Sequence, residues 1–160
     1  MINHLDAMAN EGENVKKTII IVDDSEMVLA QCEEILTEAG YNVRTLNSAL
    51  NLLRVAESIT PVPDMILLDI EMEEMSGAEA LPEIRAVPGW GNVPILLLTA
   101  WSADFLFSHL FEKGAVDVIH KPIIEPVMLT RIKNYLELAW FKGAGAGQHS
   151  GSSTNEHTES

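Results

Sequence analysis

Short apolar runs alternate with stretches of helical period along most of this chain. Ile19-Ile20-Ile21-Val22, Met65-Ile66-Leu67-Leu68 and Ile95-Leu96-Leu97-Leu98 are brief, β-rich and apolar at every position. Such runs read as parallel strands buried on both faces of a sheet. Tyr41 to Thr45 and Val116 to His120 supply two further strands. Between them, Ser25 caps a helix through about Ala39, with Met27, Leu29-Ala30 and Ile35-Leu36 apolar, and Gly40 ends it as a left-handed cap. Further helices are expected over about Ser48–Ser58, Ala78–Ala86 with Pro82 near the first turn, Ala103–Lys113 and Pro126–Phe141. Pro61 and Pro63 break the chain before the third strand, and Pro88-Gly89 forms a loop before the fourth, which begins near Val93. Five strands with interleaved helices predict an α/β, doubly wound parallel sheet.

The strands end on polar residues of a particular kind. The first runs into Asp23-Asp24, the third into Asp69, the fourth into Thr99 and the fifth into Lys121-Pro122. Ligands of open α/β sheets bind just beyond the carboxyl ends of the strands. Three carboxylates, a hydroxyl and an ammonium, far apart in sequence, are thus expected at one sheet edge. Each has an ordinary reading alone: an Asp-Asp pair caps a helix, Asp69 is a loop acid, Thr99 a strand residue, Lys121 a surface charge. Their joint placement favours a shared function.

That set resembles the receiver domain of two-component response regulators. The resemblance covers about residues 17–141 and rests on the acidic pair, the segment Asp69-Ile-Glu-Met-Glu-Glu-Met-Ser-Gly77, the Thr99-Ala100 step and Gly114-Ala-Val-Asp-Val-Ile-His-Lys-Pro122. It implies a flavodoxin-like, five-stranded sheet of order 2-1-3-4-5. It makes Asp69 the phosphoryl acceptor and Mg2+ the cofactor, on Asp23, Asp24, Asp69 and the backbone carbonyl of Glu71. Asp24 is then the direct ligand and Asp23 acts directly or through water. Thr99 and Lys121 are to bind phosphoryl oxygens, with a cis Lys121-Pro122 peptide turning the lysine inward. A nucleophilic carboxylate attacking an anionic group needs such a cation, and magnesium favours oxygen ligands. The implied partners are a sensor histidine kinase or phosphotransfer protein and a downstream protein. Gly114-Ala-Val-Asp and Thr130-Arg-Ile-Lys-Asn-Tyr-Leu-Glu-Leu are similar to receivers attached to cyclic-di-nucleotide enzymes or hybrid kinases.

Composition narrows the remaining choices. The chain has 160 residues, 47% apolar, enough for one well-formed core. No run approaches a membrane span and no signal peptide is evident, so a cytoplasmic protein is expected. The net charge of −14 disfavours nucleic acid and favours a cation or a basic partner. Residues 1–15 read as a loose polar arm and 143–160 as a disordered Gly/Ser-rich tail, which leaves 16–142 as the domain. With no output module read after it, a stand-alone receiver is expected. Cys32 reads as an inert helix thiol, and the histidines show no ligand spacing. Gly77 and Gly114 read as turn residues.

Three departures from the receiver pattern stand out. Val118 occupies the position, two before His120, where an aromatic switch residue is usual. Glu73 replaces the common proline four beyond Asp69. The fourth helix carries Phe105, Leu106, Phe107, Leu110 and Phe111 within seven positions, more than one face accommodates. That surplus marks it as the surface for a downstream protein or for self-association into a homodimer. A phosphorylation-independent interaction module is the alternative. No enzymatic turnover is expected: haloacid-dehalogenase-like phosphatases need a second aspartate two beyond the nucleophile, where Asp69 has Glu71 and Asp23 has Ser25.

Overall fold

The computed structural model describes residues 15–101 and 104–144, without the side chains of 104–107 and 138–144. Its strands are β1 Thr18–Val22, β2 Asn42–Leu46, β3 Met65–Asp69, β4 Ile95–Thr99 and β5 Asp117–His120. They form one sheet in the order β2-β1-β3-β4-β5, parallel at every pairing. This is the flavodoxin-like order that the resemblance implied. The helices are α1 Glu26–Glu38, α2 Ala49–Val55, α3 Gly77–Arg85, α4 Asp104–Glu112 and α5 Glu125–Ala144. A 3-10 turn, Ala56–Ser58, finishes the segment expected as one helix to Ser58.

The apolar runs are buried on both faces because successive strand side chains alternate. Ile20, Val22, Ile66, Leu68, Ile95 and Leu97 meet Leu52, Leu81, Ile84 and Trp90 on the side of α2 and α3. Ile19, Ile21, Met65, Leu67, Leu96 and Leu98 meet Cys32, Leu36, Met128 and Ile132 on the side of α1 and α5. Each such side chain contributes about 1.5–3 kcal/mol of transfer free energy. The edge strand β2 is only partly buried, and its sequence, Asn-Val-Arg-Thr-Leu, mixes polar and apolar residues accordingly.

Local chemistry fixes where the helices begin. Ser25, Ser48 and Ser76 each accept a hydrogen bond from a backbone N–H in the first turn, and Ser76 forms a reciprocal capping box with Glu79. Gly40 follows α1 at φ 101°, where a side chain would be strained. Helix α5 continues to Ala144, past the expected end near Phe141. Among the described residues no helix is long and apolar enough to cross a membrane.

Candidate functional site

The parallel register brings the strand ends together. Asp23 continues β1, its N–H donating to the Leu46 carbonyl at 3.1 Å. Its side chain is fully buried, whereas that of Asp24 is exposed. Asp69, at the end of β3, is 2% exposed. Carboxylate oxygens of Asp23, Asp24 and Asp69 all lie within 4.8 Å of one another. Thr99 ends the next strand and is buried. Lys121 follows β5 and reaches across, its Nζ 2.8 Å from Asp23 Oδ2 and 3.4 Å from Asp69 Oδ1. The Lys121–Pro122 peptide is cis, and the Lys121 N–H donates to the Thr99 carbonyl at 2.7 Å.

Backbone amides orient the acids. Ser25 N–H donates to Asp23 Oδ1 at 2.9 Å and Glu71 N–H to Asp69 Oδ1 at 3.1 Å. Thr99 Oγ1 accepts from Trp101 N–H at 2.9 Å. Asp23 Oδ2 is the unusual atom: it is buried and forms no hydrogen bond of good geometry, although the lysine ammonium sits in ion-pair contact. Unpaired buried acceptors are costly, so this oxygen has capacity for a further positive partner.

The electrostatics follow from two buried acids sharing one lysine. Burial first, and the Asp23 charge second, push the Asp69 carboxyl up to about 6. Lys121 and the Glu71 N–H act in the opposite direction. Burial pulls the Lys121 ammonium down, but its pairs with Asp23 and Asp69 prevail and leave it above its ordinary value.

A polar cleft of about 450 Å³ adjoins the site on its acidic side, lined by Asp24, Asn47, Ser48, Asn51, Arg54, Glu73 and others. A larger apolar depression of about 740 Å³, lined by Lys17, Tyr41, Leu129 and Leu136 among others, is built around the start of β1. It holds none of the strand-end residues, so size is a poor guide to the chemistry here.

A sequence profile of the response regulator receiver domain matches residues 19–133. The chain belongs to this family. As a receiver it takes part in two-component signalling, in which such domains interact with histidine kinases or phosphotransfer proteins. It is 34% identical over 120 residues to a probable cyclic di-GMP phosphodiesterase of Vibrio cholerae, covering 75% of this chain and 26% of that protein. It is 28% identical over 120 residues to the polar-differentiation response regulator DivK of Brucella ovis, covering 75% and 96%. The receiver thus spans about a quarter of the first relative and nearly all of the second. The V. cholerae chemotaxis protein CheY4 has the same fold, with TM-score 0.71, 25% identity and coverage of 75% and 98%. The receiver domain of a Pseudomonas aeruginosa sensor histidine kinase, at TM-score 0.69, 25% identity and coverage of 77% and 99%, carries a magnesium ion in its active site cleft.

Several residues without a sequence signal hold this receiver's site edge in place. Gly77 is the first residue of α3 and not a turn glycine; a Cβ there would lie 2.4 Å from the Asp69 carbonyl oxygen. Gly114, at φ 118°, is a turn residue as expected. Arg85 donates to the carbonyls of Trp90, Gly91, Val93 and Gly114, tying α3 to the approaches of β4 and β5. A cluster of carbonyls with one guanidinium has no linear motif, so spacing alone does not reveal it. Val118 is buried in β5, leaving no aromatic at that position. Of the α4 residues, Leu110 is buried and Phe111 is 41% exposed. The side chains of Phe105, Leu106 and Phe107, on which the expected partner surface depends, lie outside those described.

Proposed function

We propose that Asp69 accepts a phosphoryl group from a phosphohistidine donor in a phosphorelay, and that the output is a change in protein contacts. The observation that carries this is the charge imbalance at the sheet edge: two buried carboxylates, Asp23 and Asp69, are served by one ammonium. An arrangement built only for stability would match its charges, because buried unpaired charge is expensive. This one favours the arrival of a cation.

Magnesium fits the donor set. Asp23, Asp24 and Asp69 present hard oxygen ligands, and buried Asp23 Oδ2 has only the shared Lys121 ammonium as a positive neighbour. The backbone carbonyl of Glu71 is the remaining protein ligand in this reading. When bound, the ion neutralises charge between the acceptor and the incoming phosphoryl oxygens.

The residues divide the rest of the work. Asp69 Oδ1 is engaged by Glu71 N–H and Lys121, which leaves Oδ2 as the attacking oxygen. It forms the new P–O bond while the P–N bond to the donor imidazole breaks. The bonding pair stays on the imidazole nitrogen, which takes up a proton from solvent, and an acyl phosphate results. Lys121 exchanges part of its contact with the carboxylates for a phosphoryl oxygen. The Thr99 hydroxyl donates to another. With Val118 in β5, transmission of the signal does not use an aromatic side chain at that position.

The decisive experiment is labelling with radioactive acetyl phosphate, with and without magnesium, of the wild type and Asp69→Ala. Acid-labile label that needs the metal and vanishes in the variant is expected. Acid-stable label, or undiminished label in the variant, refutes the assignment.

A further inference from the structure

The apolar groove at the start of β1 lies at the end of the sheet opposite Asp69 and takes no part in the chemistry proposed above. Its apolar lining comes from Ala39 at the end of α1, Tyr41 before β2, and Leu129 and Leu136 on α5. Tyr41 and Leu129 pack against the core on that side of the sheet, yet remain half-buried. Open apolar surface of this kind commonly marks a contact. Lys17 and Lys133 also line the groove, against one acid, Glu137. On a chain of net charge −14 this is a locally basic spot.

The chain itself contains a segment of matching chemistry. Residues 1–14 lie outside those described, and Val15, 73% exposed, leads from them into Lys17 and β1. The arm read as polar includes Ile2, Leu5, Met8 and Ala9. At about 3.6 residues per turn these would share one side of a helix, opposite Asn3 and Asn10. So short a helix is unstable alone in water and needs an apolar surface to form on. The segment also carries Asp6, Glu11 and Glu13 and no lysine or arginine, which suits a groove bordered by lysines. Residues 9–14 span up to about 20 Å when extended, enough to bring the apolar side back to the groove.

We infer that the N-terminal segment docks in this groove of its own domain. Ile2, Leu5 and Met8 lie against Tyr41, Leu129 and Leu136, and the acids of the segment face Lys17 and Lys133. Tethering gives the segment an effective concentration on the order of millimolar, so a modest apolar contact suffices to hold it. A second copy of the chain is the weaker candidate, because two bodies of charge −14 repel each other. Docked, the segment links the start of β1 to α5 and closes the groove to other proteins.

Paramagnetic relaxation in the full chain tests this. A nitroxide is attached at Asn3→Cys, on the polar side of the segment. Cys32 is buried, its thiol pushed up to about 12, and stays unlabelled. The amide signals of Tyr41, Leu129, Lys133 and Leu136 should lose intensity relative to the reduced nitroxide. Leu5→Gln combined with Met8→Gln should restore them, because tether and charge are unchanged while apolar contact is lost. Amide positions in β3 and β4 should stay the same in both, which reports an intact fold. Undiminished groove signals overturn the inference, since the segment then lies elsewhere. Equal loss in the double glutamine variant also overturns it, since the tether alone then accounts for the effect. In a mixture of isotope-labelled chain without nitroxide and unlabelled chain carrying it, no loss is expected. Loss there assigns the groove to a second copy and overturns the proposed occupant.

Discussion

Two clusters of charge in this receiver are built on opposite principles. Around Arg85, one guanidinium meets the carbonyls of Trp90, Gly91, Val93 and Gly114, and every acceptor is neutral main chain. At the sheet edge, Asp23 and Asp69 compete for Lys121, and Asp23 Oδ2 lacks a well-formed hydrogen bond. The first cluster satisfies its donors internally and holds segments in place. The second retains unbalanced charge that invites a cation, and burial first, with the Asp23 charge second, raises the Asp69 carboxyl. Of the two buried side-chain atoms without a hydrogen bond among the described residues, Asp23 Oδ2 lies at the site and Arg131 Nε, whose guanidinium pairs with Asp117, does not.

The largest expected effect lies in the satisfied cluster. Arg85→Met should destabilise the domain by about 3 kcal/mol, since several part-buried carbonyls lose their donor together. Urea unfolding measures it, and magnesium should not restore the loss. A change below about 1 kcal/mol would mean that water replaces the guanidinium and that the two clusters differ less than their geometry indicates.

Lys121→Ala tests the other side. Without metal it should cost about 2 kcal/mol, because both acids lose their one counter-charge. Added magnesium should recover much of that stability, while labelling by acetyl phosphate slows. Equal labelling rates in variant and wild type would remove Lys121 from the chemistry.

Asp69→Asn should act with the reverse sign. The folded carboxyl titrates near 6, above its ordinary value of 3.8, so the folded state binds the proton more tightly than the unfolded state. Its stabilising contribution is complete below about pH 4 and is lost as the pH rises through 6. The amide escapes that loss. In metal-free buffer the variant should therefore be more stable than wild type by about 1–2 kcal/mol at pH 7.5, with the gain shrinking toward pH 4. The shift alone corresponds to somewhat more, but Lys121 also loses a charged partner. Urea midpoints across this range decide the matter, and a gain that grows toward low pH would contradict it.

The smallest effect concerns access to the acyl phosphate. Trp101 stands two residues beyond Thr99, half-exposed, its backbone N–H donating to the Thr99 hydroxyl oxygen. On the function proposed above, an indole at this position would shield the phosphoryl group from in-line water. Trp101→Ala should speed loss of label by a few-fold, equivalent to about 1 kcal/mol or less. A decay rate equal to or below that of wild type would show that Glu71, two beyond Asp69, governs the water instead.

By itself the sequence determined the elements and their chemistry. The β-rich runs ending on Asp23-Asp24, Asp69, Thr99 and Lys121 were legible because strand burial and helix capping depend on near neighbours in the chain. Ser25, Ser48 and Gly40 act as their residue types dictate. Tertiary structure decided what depends on distant neighbours. It buried Asp23 and left Asp24 exposed, though they are identical and adjacent, because β1 is still pairing at Asp23. It made Gly77 a contact glycine against the Asp69 backbone and gathered four carbonyls around Arg85. Local sequence fixes periodicity and donor type, but which groups share a buried volume is settled only when the sheet closes its register.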